Sequence, residues 1–227
     1  MTILEAINQR HSVRSYKNKK ISNEIISDLQ KEIDACNKEG HLHIQLITNE
    51  PTAFDGRMAH YGKFSGVQNY IALVGKKSAN LEEKCGYYGE RIVLKAQMLG
   101  LNTCWVALTF SKNKAKKNIQ ISDGEKLTLV ISLGYGTTQG VAHKSKTADA
   151  VGKASGKKPD WFNSGIKAAL LAPTAMNQQK FVFTLDGNKV TGRPGNGFYT
   201  KIDLGIAKYH FEQGAGRKDI WKNSRFQ

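Results

Sequence analysis

The 227-residue sequence is poor in cysteine and proline and contains no long hydrophobic run. Its three cysteines are odd in number and show no close spacing, so the sequence predicts neither a disulfide framework nor a zinc site. The longest apolar runs are far too short to span a bilayer, and the first residues, which include Glu5, do not resemble a signal peptide. We therefore expect a cytoplasmic protein that makes no use of a membrane.

Several well-known catalytic and nucleotide-binding motifs are also missing. The patterns His-Glu-x-x-His, Gly-x-x-x-x-Gly-Lys-Ser/Thr and Gly-x-Ser-x-Gly do not occur in the sequence. No Gly-x-Gly-x-x-Gly fingerprint follows a predicted strand, so a pyridine nucleotide would not be held by a Rossmann site. No group of residues predicts a metal ion.

Acidic residues are few compared with basic ones. The 34 lysines and arginines outnumber the 19 acidic residues and give a formal net charge of +15. Such an excess predicts an anionic ligand, an anionic partner, or simply high solubility. The lysines are scattered and no stripe interleaves them with aromatic residues, so a basic nucleic-acid-binding domain is kept only as an alternative.

What the sequence does contain is a succession of helical and strand-like patterns. Helices are predicted over residues 2–9, 22–37, 81–99, 160–172 and 200–214, and strands over residues 41–48, 70–74, 103–108, 127–133 and 181–185. The stretch 137–158 is polar, small and basic without periodicity, so we predict a linker there. These patterns predict a protein that contains both helices and strands.

Two of the predicted helices share a spacing of glycine and tryptophan. The residues of this repeat are Gly89, Gly100 and Trp105 in the first case and Gly205, Gly216 and Trp221 in the second. The simpler interpretation is two core helices that each end in glycine. The more specific interpretation is a duplicated fold, with two halves related by a pseudo-twofold axis. The first half would cover residues 1–150 and the shorter second half residues 158–227, with the linker 137–158 between them.

Residues 10–16, Arg-His-Ser-Val-Arg-Ser-Tyr, concentrate guanidinium and hydroxyl groups directly after a short predicted helix. Arginine forks suit bidentate recognition of phosphate, and serine hydroxyls can donate to the remaining oxygens. Arg10, His11, Ser12 and Arg14 are therefore candidates for an anion site. The alternative is a short basic run on a solvated surface.

Residues 172–179, Ala-Pro-Thr-Ala-Met-Asn-Gln-Gln, stand between a predicted helix and a predicted strand. Pro173 would end the helix and stiffen the following turn. Thr174 and Asn177 offer a hydroxyl and an amide to a ligand. The alternative interpretation of this stretch is an ordinary turn that ends a helix.

These two stretches carry a resemblance to a known family. The opening Met-x-x-x-Glu-Ala-Ile-x-x-Arg-His-Ser-x-Arg-x-Tyr and the turn Pro-Thr-x-x-Asn-x-Gln resemble those of the FMN-dependent nitroreductases. The resemblance implies a nitroreductase-like α+β fold with a mixed central sheet flanked by helices. One branch of the family resembles a nitroreductase dimer fused into one chain. This sequence is similar to that branch, which implies a monomer with an internal pseudo-dimer.

The resemblance also implies roles at the phosphate end of a flavin site. Arg10, Ser12 and Arg14, with His11 beside them, would hold the FMN phosphate. Lys144 and Lys146 follow the strand that ends at Gly134 and would complete the phosphate cage, although a solvated charge run would look the same.

At the ring end, the resemblance places the backbone groups of Ala107 and Leu108 near flavin N5. The turn would contact the flavin and its ribityl chain through Pro173, Thr174, Ala175 and Asn177. The first half lacks this turn pattern and the second half lacks the Arg-x-Ser-x-Arg pattern, so the two halves would contribute to one complete site. Residues 61–64 depart from the family pattern, which leaves the contacts to the pyrimidine edge open.

The implied activity is that of a flavoprotein oxidoreductase. NAD(P)H would pass a hydride to flavin N5, and a small conjugated acceptor, such as a nitroaromatic compound or a quinone, would then take the electrons. No side chain needs to act as a catalytic acid or base, because the cofactor carries the chemistry. The alternative from another class is a flavin-binding sensor or carrier without turnover.

Overall fold

The computed structural model describes residues 1–222 and 224–226. Contacts divide the chain into two compact units. We call the first, Met1–Gln9 with Ala79–Arg91 and His143–Gln227, the three-stranded unit, and the second, Arg10–Ser78 with Ile92–Ala142, the four-stranded unit.

The chain contains eight helices and seven strands within its described residues. The helices are α1 (Ile3–Gln9), α2 (Asn23–Gly40), α3 (Arg57–Tyr61), α4 (Leu81–Met98), α5 (Lys112–Lys116), α6 (Ala148–Val151), α7 (Asp160–Ala169) and α8 (Thr200–Ala215). The strands are β1 (Gln45–Ile47), β2 (Asn69–Lys76), β3 (Asn102–Val106), β4 (Glu125–Gly134), β5 (Gly152–Ala154), β6 (Phe181–Asp186) and β7 (Lys189–Pro194). Short 3-10 turns occupy Thr52–Phe54 and Ala175–Asn177.

The four-stranded unit is built on an antiparallel sheet with the strand order β1-β2-β4-β3. The two middle strands, β2 and β4, pair over most of their length and are buried almost throughout, as their near-continuous apolar sequences require. One face of the sheet packs against a group of aromatic residues in which Phe54 contacts the rings of Phe64, Tyr70 and Phe110.

The three-stranded unit contains a mixed sheet in which β6 pairs with β5 in parallel and with β7 in antiparallel orientation. Helices α7 and α8 pack together, and α8 is buried from Thr200 to Glu212 except at Lys201. Aromatic rings fill its core, where Phe211 contacts Phe162, Phe183 and Trp221. The predicted α+β class is confirmed, and the strands are divided between two sheets.

Two glycines let α4 and α8 approach each other within the three-stranded unit. A Cβ atom on Gly86 would lie 2.1 Å from the Ile202 carbonyl oxygen, and one on Gly205 would lie 2.0 Å from the Glu83 carbonyl oxygen. Because both neighbours are backbone atoms, no larger residue fits at either position without separating the helices. Gly205 belongs to the predicted repeat, and Gly86, which provides the close approach on α4, does not.

The ends of these two helices agree with the sequence prediction. Gly100 (φ +79°) follows α4 and Gly216 (φ +63°) follows α8, and each adopts the left-handed conformation that favours glycine after a helix. The duplication itself, with its boundaries 1–150, 137–158 and 158–227, stays a prediction.

Part of the predicted linker has regular structure. Within residues 137–158, α6 is followed directly by β5, which pairs with β6 from Phe183 to Leu185. Val151 is buried, and Gly152 lies against Ile166 so closely that a Cβ would come within 2.9 Å of that side chain. A single buried apolar residue gives no periodicity, which is why the sequence pattern missed both elements.

Strand β1 is shorter than the predicted strand over 41–48. The Asn37 side chain takes the place of a ladder partner, because its Oδ1 accepts from the Ile44 N–H at 2.7 Å and its Nδ2 donates to the Ile44 carbonyl at 2.9 Å. His41 ends α2 in the left-handed conformation (φ 50°). Within the described part of the chain, no helix is both long enough and apolar enough to cross a membrane.

Candidate flavin site

The 10–16 segment is fixed by backbone hydrogen bonds within the four-stranded unit. The Val13 N–H donates to the Thr103 carbonyl of β3 at 3.0 Å. The Ser65 N–H donates to the Arg14 carbonyl, and the Tyr16 N–H donates to the Ser65 carbonyl, both at 3.0 Å. The segment therefore runs alongside β3 and residue 65 as an extended, hydrogen-bonded strip.

Glycines make room for this strip. A Cβ atom on Gly66 (φ +67°) would lie 2.3 Å from the Tyr16 carbonyl oxygen, and one on Gly140 (φ +72°) would lie 2.8 Å from the His11 Cβ. Gly134, at the end of β4, lies against the Tyr16 ring in the same way, at 3.0 Å. Both the positive φ angles and the close contacts require glycine at positions 66 and 140.

Tyr16 anchors the end of the strip from inside the core. Its hydroxyl donates to the Val13 carbonyl oxygen at 2.6 Å and shares a hydrogen bond of 2.8 Å with Ser132 Oγ on β4. Burial raises the pKa of Tyr16 above its ordinary value, so the hydroxyl stays protonated and can keep donating. The conformation of the 10–16 segment is thus set by the core and not by solvent.

The cationic and hydroxyl groups of the segment converge on one place. Burial raises the pKa of the Cys104 thiol, whereas the charges of Arg14 and Arg10 and a hydrogen bond from Ser12 act in the opposite direction. Ser12 pairs with Thr103, the residue before Cys104 on β3, in a parallel bridge, so the segment that carries these groups runs beside the thiol. Arg10 is 3% exposed, and the Arg14 guanidinium lies over the Phe64 ring at 6.0 Å from its centre. The result is a preformed cluster of positive charge with a hydroxyl beside it.

Ala107 and Leu108 follow β3 rather than belong to it. The strand ends at Val106, so the predicted strand over 103–108 was too long at this end. Leu108 is exposed, and the neighbouring Thr109 lies close to Gly62, where a Cβ would come within 2.6 Å of the Thr109 Cβ. Thr109 thus lies beside Gly62, which belongs to the stretch for which the sequence left the ring contacts open.

The second group of predicted residues forms a strained turn in the three-stranded unit. We call residues 174–179 the 174–179 turn. Met176, Asn177 and Gln179 have φ angles of 49°, 53° and 45°, a region that residues other than glycine and asparagine rarely adopt. Met176 and Asn177 are exposed, whereas Gln179 is buried. Clusters of such strain occur where surrounding contacts fix the backbone, often at ligand sites.

Gln179 organises the turn and joins it to the predicted lysine pair. Its Nε2 donates to the Lys144 carbonyl at 2.9 Å and to Asn177 Oδ1 at 2.8 Å, and its Oε1 accepts from the Lys146 N–H at 2.8 Å. Its own N–H donates to Thr174 Oγ1 at 3.0 Å. The structure therefore brings together Lys144, Lys146, Thr174 and Asn177, and their roles in a flavin site stay a prediction.

Several of these polar groups hold the turn itself. Lys146 Nζ donates to the Gln179 carbonyl at 3.0 Å, and Asn177 Nδ2 donates to the Lys144 carbonyl at 2.8 Å. The sequence interpretation assigned Lys146 to a phosphate and Asn177 to the flavin. In the structure both side chains stabilise the turn, and Pro173 is buried directly before it.

Asp203 is a residue of this region that the sequence interpretation did not single out. It lies in the first turns of α8 and is 2% exposed. Its Oδ1 accepts from the Ala175 N–H at 2.9 Å, and its Oδ2 accepts from Gln178 Nε2 at 2.7 Å. Burial raises the pKa of Asp203 to about 6, although both hydrogen bonds oppose the shift. The signal for it was a carboxylate between Ile202 and Leu204 in an otherwise apolar helix face.

Comparison with known proteins decides the family. A family model described as "Putative TM nitroreductase" matches residues 2–215 of this chain. The chain belongs to this nitroreductase family. The predicted resemblance is therefore confirmed. No curated protein matches the chain.

Solved structures similar to this nitroreductase-family chain share its fold. One, described as a putative nitroreductase from Thermotoga maritima, is 22% identical with a TM-score of 0.62, and the match covers 93% of this chain and 82% of that one. Another, from Desulfovibrio desulfuricans, is described as a complex with FMN and is 17% identical, with a TM-score of 0.53 and coverage of 66% and 95%. A third, described as a putative NADH oxidase from Clostridium acetobutylicum, is 20% identical, with a TM-score of 0.52 and coverage of 64% and 96%.

Proposed function

We propose that this chain is an FMN-dependent oxidoreductase that passes a hydride from NAD(P)H, through the flavin, to a small conjugated acceptor such as a nitroaromatic compound or a quinone. The observation that carries the proposal is the fixed 10–16 segment, with a buried Arg10 and with Ser12 paired to β3, in a member of the nitroreductase family. The FMN complex among the similar structures and the neighbour described as a putative NADH oxidase support the same conclusion.

The arginine and serine groups fit a flavin phosphate. A phosphate monoester carries close to two negative charges near neutral pH and has three strong acceptor oxygens. Two guanidiniums match the charge, and the Ser12 hydroxyl can satisfy a further oxygen. Because Arg10 is buried and the strip is fixed by Tyr16 and the flanking glycines, little ordering is needed on binding. The net charge of +15 would favour anionic cofactors at low ionic strength.

For the rest of the cofactor we propose that the 174–179 turn contacts the flavin and its ribityl chain, and that the main chain at Ala107 and Leu108 supplies a donor near N5. When bound, FMN supplies the hydride and electron transfer. The chain's own residues bind and orient, and no side chain is assigned as a catalytic acid or base. We further propose one FMN per chain and a monomeric protein in the cytoplasm.

Flavin uptake tests this proposal directly. We expect the purified protein, incubated with FMN and freed of excess by gel filtration, to show the visible bands of oxidised flavin with one FMN per chain. Riboflavin, which lacks the phosphate, is the matched ligand control. We expect it to bind at least tenfold more weakly, because it forgoes the charged hydrogen bonds.

The alternatives give different results in the same experiment. A chain that takes up no FMN and instead binds a nucleic-acid duplex would be a basic nucleic-acid-binding domain, and the proposal would be wrong. Equal affinity for FMN and riboflavin would leave flavin binding standing but contradict the phosphate role of Arg10, Ser12 and Arg14.

A further inference from the structure

We propose that Asp203 is a positioning residue, which holds the 174–179 turn in its flavin-binding shape through hydrogen bonds to the Ala175 N–H and the Gln178 side chain. This inference rests on the proposed function, because it concerns the same cofactor. Asp203 itself need not contact the flavin. Its effect would pass through the backbone of the turn.

The strain in the turn is the first reason. The left-handed region is sterically unfavourable for residues other than glycine, and least so for asparagine. Met176, Asn177 and Gln179 all occupy it. A turn of this kind keeps its shape only if contacts from outside fix it. Asp203 provides such contacts from α8, an element that is buried and regular along its length.

The geometry of the carboxylate is the second reason. Its two oxygens accept from two different points of the turn, Ala175 at 2.9 Å and Gln178 at 2.7 Å. Gln178 Nε2 also donates to the Phe198 carbonyl at 2.8 Å, which ties the same side chain to the segment before α8. The Asp203 side chain therefore links α8 to the turn. Neither of its two hydrogen bonds caps α8 itself.

Charged groups on the neighbouring elements include Glu83, Lys201 and Lys180. Glu83 on α4 pairs with Lys208, and Lys201 Nζ donates to the Ala79 carbonyl at 3.4 Å. Lys180 lies beside Gly197, with its side chain 3.3 Å from where a Cβ would be. The raised pKa of Asp203 follows from burial, so the carboxylate titrates in the range where flavin binding can be measured.

Asp203→Asn is the central variant. The asparagine keeps one acceptor but turns an amide N–H2 toward the second donor, so one of the two hydrogen bonds is lost. We expect the dissociation constant for FMN to rise about tenfold, the equivalent of one such bond. The melting temperature of the apoprotein should stay within about 4 °C of wild type, because the substitution also removes a buried charge. Asp219→Asn, an exposed position in the same unit, is the matched control and should change neither quantity.

The pH profile separates positioning from a general effect on folding. As the pH falls from about 8 to about 5, wild-type Asp203 becomes protonated and resembles the asparagine. The ratio of the two dissociation constants should therefore fall from about ten toward one. The titration of the FMN phosphate is common to both proteins and cancels in the ratio.

Hydrogen exchange of the Ala175 amide gives a readout that does not depend on the cofactor. We expect protection in the wild-type apoprotein and faster exchange in Asp203→Asn. Gln178→Ala, which removes the other partner, should shift FMN affinity in the same direction. It serves as the test if Asp203→Asn does not fold.

The outcomes distinguish this inference from the proposed function. If the wild-type protein binds no FMN, the proposed function fails and this inference with it. If wild type binds FMN and Asp203→Asn binds it equally well from pH 5 to pH 8, only the positioning role is wrong. A constant ratio of dissociation constants over that range, or unchanged Ala175 exchange, would overturn it as well.

Discussion

Replacing Lys208 by methionine is expected to lower the free energy of unfolding by about 3–5 kcal/mol, which is the effect of breaking a buried ion pair. Lys208 is 1% exposed on α8. Its Nζ donates to Glu83 Oε1 and to the Arg225 carbonyl oxygen, and it lies 4.9 Å from the centre of the Trp221 ring. Methionine has a similar volume, so the cost comes mainly from the Glu83 carboxylate, which loses its buried partner.

Urea unfolding followed by circular dichroism measures this effect. Lys201→Met, an exposed lysine on the same helix, is the matched control and should change stability by less than about 0.5 kcal/mol. The double variant Lys208→Met with Glu83→Gln should recover much of the loss, because no buried charge is then left without a partner. A single variant as stable as the control would show that the pair contributes little.

The second large effect is expected on FMN affinity. Arg10→Ala should raise the dissociation constant by about 10–150-fold, the equivalent of about 1.5–3 kcal/mol for a charged hydrogen bond to phosphate. Arg10 is suited to such a role because it is 3% exposed and belongs to the fixed 10–16 segment. Ser12→Ala removes a neutral donor and should cost less. Arg10→Lys keeps the charge without the fork and should fall between wild type and Arg10→Ala.

Fluorescence titration of FMN into each apoprotein measures these affinities. Arg57→Ala removes an exposed arginine and makes the same change in net charge, so it controls for long-range electrostatics. The melting temperature of each apoprotein separates lost binding from lost folding. The phosphate assignment is wrong if Arg10→Ala and Ser12→Ala both bind FMN as tightly as wild type.

The sequence predicted the long helices well, because their apolar residues recur at helical spacing and their ends carry recognisable residues. Ser22 caps α2 through the Ile25 N–H, and Gly100 and Gly216 follow their helices as expected. The sequence prediction failed where a side chain took the place of a backbone hydrogen-bond partner. Asn37 shortens β1 in this way, and a hydrophobicity pattern cannot predict that a side chain takes the place of a backbone partner.

Part of the candidate site was predictable from the sequence because it consists of short local motifs. The 10–16 segment and the 174–179 turn stand out as local motifs, and a family motif can be read within a few residues. Asp203 and the hydrogen-bond partners of Gln179 could not be predicted, because these contacts join residues that are far apart in the sequence. The need for glycine at positions 66 and 140 could not be predicted either, because it depends on which residues lie against them in the fold.

Reduction of the bound flavin tests the central claim most directly. FMN-loaded protein is mixed with NADH or NADPH in the absence of oxygen, and the visible spectrum is recorded before and after a quinone is added. We predict that at least one of the two nucleotides bleaches the band of oxidised flavin and that the quinone restores it. A spectrum that neither nucleotide changes would contradict an oxidoreductase and favour a flavin-binding sensor or carrier.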